Sequence, residues 1–291
     1  MEKQLLVTVS EEGCALKGIH FIHDFFEHQG ALGLTLFYTA PKPRAVWVEE
    51  EFFEAMDEYD RTIRQGKQVG RESLSAARKL LAEYEFPEGQ VNTKLHLREV
   101  STAKDILSEG ERGGYDAIVL GQRGARRFQE MMDESVTEQV VERQLGAPLW
   151  ICREPEQGRR NVLLCLDGSD AAFRVAEHVG CILANEPRHN VCLMHVAESG
   201  LFAADSTPSI YARARKALQE NGVDEARISE VPAVSGAVSA AIIAEARSGN
   251  YAVVATGSME RKRSRLRRAI FGSVVRDLMK LLTGAVLWVS A

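Results

Sequence analysis

The chain has 291 residues, a formal net charge of −5, 45% hydrophobic residues and 26% charged residues. This composition is typical of a soluble globular protein, and the length predicts two domains of ordinary size. The sequence has no run of about 18 apolar residues, its opening MEKQLLVTVS lacks the apolar region of a signal peptide, and its acidic balance argues against nucleic-acid binding. We therefore expect a cytoplasmic protein with neither a membrane nor a nucleic acid as partner.

Short apolar runs in the first half are rich in Val, Ile and Leu and predict buried strands of a parallel sheet, which lack a polar face. They lie at 4–10, 32–39, 116–120 and 148–152. Helical patterns fall between these runs. Alternating strands and helices predict a doubly wound α/β architecture.

The stretch HFIHDFFEH follows the first predicted strand and carries polar side chains at helical spacing. These are His20, His23, Asp24 and His28. A surface zinc site is conceivable from such residues. However, Ile19, Ile22 and Phe26 would pack on the sheet, so the polar residues form the outer face of the first helix. We therefore predict no metal site.

Residues 49–84 are the main difference between the two halves, because the first half is longer here. Apolar residues keep helical spacing and predict one or two long amphipathic helices. These residues are Phe52, Met56, Tyr59, Ile63, Leu74, Ala77, Leu81 and Tyr84. The helices would cover the edge of the sheet, or alternatively bind a partner.

The second half repeats the first. ILSEGERGGYDAIVLG (106–121) matches IIAEARSGNYAVVATG (242–257), and LGAPLWI (145–151) matches TGAVLWV (283–289). The equivalent strands are predicted at 162–166, 190–196, 252–256 and 285–290. The repeat predicts two doubly wound parallel-sheet domains in tandem, at 1–153 and 160–291, joined by the charged linker REPEQGRR (153–160). Such sheets bind ligands at the carboxyl ends of their strands.

The last strand of each half could pair with the other within one chain. Pairing of 148–152 with 286–290 would cover two exposed sheet edges and make the chain an internal pseudo-dimer. A further homodimer of the whole chain is also open.

A basic stretch lies between two Gly-Ser pairs in ATGSMERKRSRLRRAIFGSVV (255–275). Its six basic residues are Arg261, Lys262, Arg263, Arg265, Arg267 and Arg268. Glycines let the backbone approach a phosphate, a helix N-terminus presents unpaired N–H groups, and arginine forks suit phosphate oxygens. The stretch therefore predicts an anion site. The alternatives are a solvated charged loop in which Ser273 is only a helix N-cap, or a site for another polyanion.

Several motifs resemble those of the universal stress protein family. They are VLLCLDGSDAA (162–172), YDAIVLGQRG (115–124), the Gly-Ser-Val helix start (272–274) and the final PLWI and VLWV strands. The resemblance spans both halves and implies two adenine nucleotide alpha hydrolase-like, Rossmann-like domains. Because dimers of the family commonly pair their last strands, the resemblance also implies the pairing of 148–152 with 286–290 within one chain. In nucleotide-binding members, a G-x-x-G segment followed by G-[ST] holds ATP phosphates, and an Asp after the first strand lies beside the nucleoside.

The first half departs from this pattern. Gly121 and Gly124 are present, but Glu134 stands where a glycine belongs, and Ser10 replaces the Asp after the first strand. The resemblance therefore implies a degenerate nucleotide site in the first half.

The second half keeps most of the pattern, although Glu260 replaces its second glycine. The resemblance implies that Asp167, with Gly168 and Ser169, and the strand end at Val196 and Ala197 hold the nucleoside. The implied phosphate ligands are Gly257, Ser258, Gly272, Ser273 and Val274, with Arg261 or Arg263 reaching in. ATP is the expected ligand, with Mg²⁺ accompanying it.

No Walker A, HExxH or G-x-S-x-G motif is present, and we predict no catalytic residues. The leading hypothesis is a stress-response protein that binds an ATP-like nucleotide in its second half. One alternative is an interaction protein that uses the 49–84 helices or the basic loop 261–268. A slow ATPase is the other alternative.

Overall fold

The computed structural model describes residues 2–11, 16–43, 52–121, 147–153, 155–197, 207–232, 234–257 and 272–290. The predicted site residues Ser258, Arg261 and Arg263 lie outside these ranges, and so do Gly124 and Glu134 of the first half.

In the first half, strands and helices alternate. The elements are β1 (Lys3–Thr8), α1 (Lys17–Phe25), β2 (Leu32–Ala40), α2 (Phe52–Glu83), β3 (Val91–Leu97), α3 (Thr102–Gly113), β4 (Ala117–Gly121) and β5 (Leu149–Cys152). Local chemistry sets the helix ends. For example, the side chain of Ser101 accepts a hydrogen bond from the N–H of Lys104 at the start of α3, and Gly114 ends α3 at a φ of 63°.

The second half repeats this order. Its elements are β6 (Asn161–Leu166), α4 (Asp170–Leu183), β7 (Val191–Ala197), α5 (Thr207–Glu220), β8 (Ile228–Glu230), β9 (Val234–Ser235), α6 (Val238–Ser248), β10 (Tyr251–Gly257), α7 (Ser273–Leu281) and β11 (Val286–Ser290).

The strands of the described residues all belong to one sheet, in the order β3-β2-β1-β4-β5-β11-β10-β6-β7-β8, with β9 paired to β7. Pairing is parallel within each half. Each half therefore has a doubly wound parallel sheet, as predicted, and the order of strands reverses beside β1 in one half and beside β6 in the other. Ligands of such sheets bind at this switch point, outside the carboxyl ends of the strands.

The two halves meet where β5 pairs antiparallel with β11. Trp150 lies directly opposite Trp288 in this ladder, both side chains are fully buried, and their rings stack with centroids 4.3 Å apart. The predicted pairing of the last strands within one chain is thus confirmed. Such a ring pair contributes about 0.5–1.5 kcal/mol beyond the area that it buries.

The long stretch 49–84 contains one continuous helix, α2, which is one of the two forms predicted. Three strands were not predicted, namely β3, β8 and β9. Strands β3 and β8 are the outer strands of the sheet, and only the first residue of each is buried, so they lack the continuous apolar run of a buried strand.

Candidate functional site

The carboxyl edge of the second half gathers most of the described residues that we predicted to bind a ligand. Asp167 directly follows β6, Val196 and Ala197 end β7, and Gly257 ends β10. Strand β6 lies between β7 and β10 in the sheet, so these strand ends are neighbours. These strand ends lie at the switch point of the second half, where ligands of such sheets bind.

Asp167 begins a tight turn that leads into α4. Its Oδ1 accepts a hydrogen bond of 2.9 Å from the N–H of Ser169, and Gly168 between them has a φ of 79°. A side chain at Gly168 would be strained at this φ, and its Cβ would lie 3.1 Å from Cδ1 of Ile210. One carboxylate oxygen of Asp167 is thus used locally, which leaves Oδ2 for a ligand.

Ser169 has a structural role that accounts for its hydroxyl. It is the N-cap of α4, and its Oγ accepts a hydrogen bond of 3.2 Å from the N–H of Ala172. The sequence analysis grouped Ser169 with the ligand-binding residues. The structure shows that its side chain holds the helix terminus.

His195 lies in β7, next to the end of β6, and was not among our predicted ligand residues. Its Nδ1 lies 2.9 Å from Oγ1 of Thr207, and its backbone N–H donates to the hydroxyl of Tyr211. Burial lowers the pKa of His195 below its usual value, although the nearby charge of Asp167 opposes this shift. The ring is therefore neutral at pH 7, and no described residue hydrogen-bonds its Nε2. The signal in the sequence was a polar residue in the otherwise apolar strand VCLMHVA.

Gly257 is required by packing, whether or not a ligand binds. A Cβ on Gly257 would lie 2.6 Å from the backbone carbon of Ala171 and 2.6 Å from the backbone nitrogen of Ala172. The end of β10 thus touches the first turn of α4. This contact places Gly257 at the carboxyl edge beside the turn of Asp167.

The start of α7 has a glycine as its N-cap. Gly272 has no side chain to cap the helix, no described side chain does so in its place, and the first turn has no acidic residue. Ser273 is the first helical residue and is exposed, so it is not the N-cap that one alternative expected. The charged loop 261–268 of that alternative lies outside the described residues. Val274 is half-buried and packs on the core. Helix N-termini of this kind carry a partial positive charge and attract anions.

The connection from β10 through α7 to β11 puts this N-terminus at the same edge as Gly257. β10 and β11 are adjacent and parallel, so the helix between them must run back across the sheet and begin near the carboxyl end of β10. The hydroxyl of Ser239 on α6 donates to Oδ2 of Asp277 at 2.8 Å, which ties α7 to its neighbour.

The same edge of the first half is arranged differently. The hydroxyl of Tyr38 donates to Oε1 of Glu11 at 2.8 Å, and Tyr38 holds the place in β2 that His195 holds in β7, third from the strand end. The Oγ of Ser10 is buried and has no hydrogen-bond partner among the described residues. Helix α2 lies close above, since a Cβ on Gly70 would be 2.7 Å from the Tyr38 ring.

The polar side chains on the outer face of α1 contact the end of α2. His20 Nδ1 lies 2.6 Å from the hydroxyl of Tyr84, and the ring of His23 stacks on that of Tyr84 at 3.8 Å. His28 points elsewhere, toward Glu27 and Glu186.

Among the helices of the described residues, none is both long enough and apolar enough to span a membrane.

Both halves of the chain are similar to one known protein family. The model of the universal stress protein family matches residues 3–153 and 158–290. None of the curated protein sequences compared with the chain matches it.

Solved structures similar to the chain include a universal stress protein from Archaeoglobus fulgidus DSM 4304, at 17% identity and a TM-score of 0.68, covering 99% of this chain and 97% of that one. A universal stress protein from Pseudomonas aeruginosa UCBPP-PA14 matches at 16% identity and a TM-score of 0.53, covering 99% of this chain and 93% of that one. At these identities the likeness shows the fold.

Proposed function

The chain belongs to the universal stress protein family, and we propose that its second half binds an adenine nucleotide of the ATP type. The ligand would lie at the carboxyl edge of β6, β7 and β10. The observation that carries the proposal is the glycine-led N-terminus of α7 at the same edge as Asp167 and His195.

The phosphate end of the nucleotide would lie at α7. Backbone N–H groups after Gly272 offer hydrogen bonds to phosphate oxygens, and the first turn has no acidic side chain to repel them. Gly257 at the end of β10 lets the chain lie close to α4 before it continues toward the basic loop. We propose that Ser258, Arg261 and Arg263 complete the phosphate site, and that Mg²⁺ accompanies ATP there.

The nucleoside end would lie at the ends of β6 and β7. Oδ2 of Asp167 can accept a hydrogen bond from a ribose hydroxyl, while Oδ1 maintains the turn. The backbone at Val196 and Ala197 would meet the base, and the neutral ring of His195 offers Nε2 as a further polar contact. Because Nε2 is the nitrogen not engaged by Thr207, it can act without disturbing the fold.

Features of the first half favour one nucleotide site per chain, in the second half. Its carboxyl edge holds the Glu11 carboxylate against Tyr38, and Ser10 stands where the second half has Asp167. The first half therefore has no carboxylate at the position of Asp167 that could accept a hydrogen bond from a ribose. We propose that the first half does not bind nucleotide.

Isothermal titration of the full chain with ATP and Mg²⁺ tests the proposal. We expect one ATP per chain, and at least tenfold weaker binding for Gly272→Glu, because a carboxylate at the start of α7 repels phosphate; this corresponds to about 1.4 kcal/mol. Asp167→Ala should also weaken binding. Glu11→Gln, at the equivalent edge of the first half, is the matched control and should bind as the wild type does.

Two results would contradict the proposal. One is the absence of heat from a folded wild-type chain at high ATP concentration. The other is that Glu11→Gln loses ATP binding while Gly272→Glu binds ATP as the wild type does. That result would move the site to the first half.

A second candidate function, binding of a partner protein through α2, is favoured by one observation. Close packing of α2 on the rest of the first half begins near Gly66, whereas most positions from 56 to 65 are exposed and Met56 is 44% exposed. If ATP does not bind, the test is to compare the binding of an isolated partner protein to the wild type and to Met56→Asp. Loss of binding in Met56→Asp would support the second function.

A further inference from the structure

The two halves also meet at the opposite edge of the sheet, near the amino ends of the strands. The segment after α1 contacts the segment after α4. His189 Nε2 lies 2.7 Å from the carbonyl oxygen of Phe25, and the two rings stack with centroids 4.1 Å apart. Arg188 donates to the carbonyl oxygen of Asp24. These contacts hold the two segments in a fixed relation.

Three side chains with metal-binding atoms converge at this contact: Glu27, His28 and Glu186. One ligand atom from each lies within 4.8 Å of the other two. Glu27 and His28 are exposed, whereas Glu186 is only 2% exposed. The cluster thus opens to solvent on the side of the first half and is closed by Glu186 on the side of the second half.

Glu186 is a buried carboxylate, and no basic side chain in the described part of the chain lies within ion-pair distance of it. Its Oε2 accepts a hydrogen bond of 2.8 Å from the N–H of Glu27, which fixes the carboxylate toward the cluster. The charge of Arg227 interacts with this carboxylate from a greater distance, while the Arg227 guanidinium donates to the backbone carbonyl of Glu186 and Arg188 pairs with Glu27 at 3.8 Å. A buried carboxylate is costly unless a cation or several hydrogen bonds compensate it.

We propose that Glu27, His28 and Glu186 bind a divalent transition-metal ion such as Zn²⁺. Two carboxylates neutralise the charge of the ion, and the imidazole supplies the nitrogen ligand that such metals favour. At metal–ligand distances of about 2.0–2.2 Å, tetrahedral ligand atoms are about 3.4 Å apart. The two exposed side chains can approach Glu186 by rotation about their own bonds, while the backbone stays in place. Water would take the fourth position.

The ion would connect the two halves, because two ligands come from the first half and the third from the second. It would also replace Arg188 as the partner of Glu27. ATP plays no part in this site, which lies at the other edge of the sheet. The proposal therefore stands or falls independently of nucleotide binding.

Calorimetric titration of the chelator-treated full chain with Zn²⁺ tests the proposal. The exposed thiol of Cys181 could also bind zinc, so all variants carry Cys181→Ser. We expect one ion per chain, and at least tenfold weaker binding for Glu186→Gln and for His28→Gln. His23→Gln is the matched control: its ring stacks on Tyr84, so it should bind zinc as the parent does.

Thermal unfolding gives a second readout. Zn²⁺ should raise the midpoint of the parent and leave that of Glu186→Gln unchanged, because a ligand that binds only the folded state stabilises it. If Glu186→Gln does not fold, Glu27→Gln takes its place, since Glu27 is exposed. The proposal is overturned if the parent shows no saturable binding or if the Glu186, Glu27 and His28 variants bind as the parent does. It is also overturned if only His23→Gln loses the ion, which would place zinc on the outer face of α1.

Discussion

Replacing His178 with glutamine should remove a large part of the acid sensitivity of this protein. His178 lies on α4 beside the stacked tryptophans of the junction, and its Nε2 accepts a hydrogen bond of 3.0 Å from Nε1 of Trp150. Accepting this bond requires an unprotonated nitrogen. Burial lowers the pKa of His178 from 6.5 to about 3.

The sign of the effect follows from this pKa difference. The unfolded chain binds a proton at His178 below pH 6.5, whereas the folded chain does not until the pH falls toward 3, so the unfolded state binds more protons in this window. Stability from this group is fully present above pH 6.5 and is lost as the pH falls. From pH 6.5 to 4.5, about 1.36 kcal/mol for each pH unit gives about 2.7 kcal/mol. This is an upper value, because part of the His178 side chain contacts solvent.

Urea unfolding at pH 7.5 and pH 4.5 measures this contribution. Glutamine keeps an acceptor for the Trp150 N–H but does not titrate. We expect the wild type to lose about 1–2.7 kcal/mol more than His178→Gln between the two pH values. Other titrating groups, including His189, are common to both proteins and cancel in the comparison. Equal losses in the two proteins would refute the reasoning.

Two further substitutions test the packing of the fold by urea unfolding at pH 7.5. Trp288→Ala should cost about 3–5 kcal/mol, because the side chain is fully buried at the junction, and should make the linker between the halves more sensitive to protease; an unchanged digestion rate would show that the tryptophans do not hold the halves together. Gly257→Ala should cost about 1–3 kcal/mol, because its Cβ would meet the backbone of α4 at 2.6 Å. A cost near zero for Gly257→Ala would mean that β10 and α4 can separate easily.

The repeat and the apolar runs were enough to predict the doubly wound sheets, because buried parallel strands have a continuous apolar signal. The pairing of the last strands was expected from the resemblance to the family and from the edges that it would cover. The outer strands β3 and β8 have no such signal. Their positions depend on neighbours in the sheet rather than on their own residues.

The candidate site was predictable where local chemistry determines it. The Asp-Gly-Ser turn at the end of β6 and the glycine at the start of α7 both follow from short-range rules. The choice of Gly272 over Ser273 as N-cap was missed, since a serine usually caps better. The convergence of Glu27 and His28 with Glu186 could not be predicted, because it depends on how two distant segments meet across the junction.

Hydrogen–deuterium exchange of the full chain with and without ATP and Mg²⁺ tests the central claim most directly, because it locates the nucleotide. The account predicts slower exchange at the turn after Asp167 and in the first turn of α7 after Gly272, with no change around Ser10 and Gly121 in the first half. Protection in the first half alone, or none anywhere at saturating ATP, would contradict it.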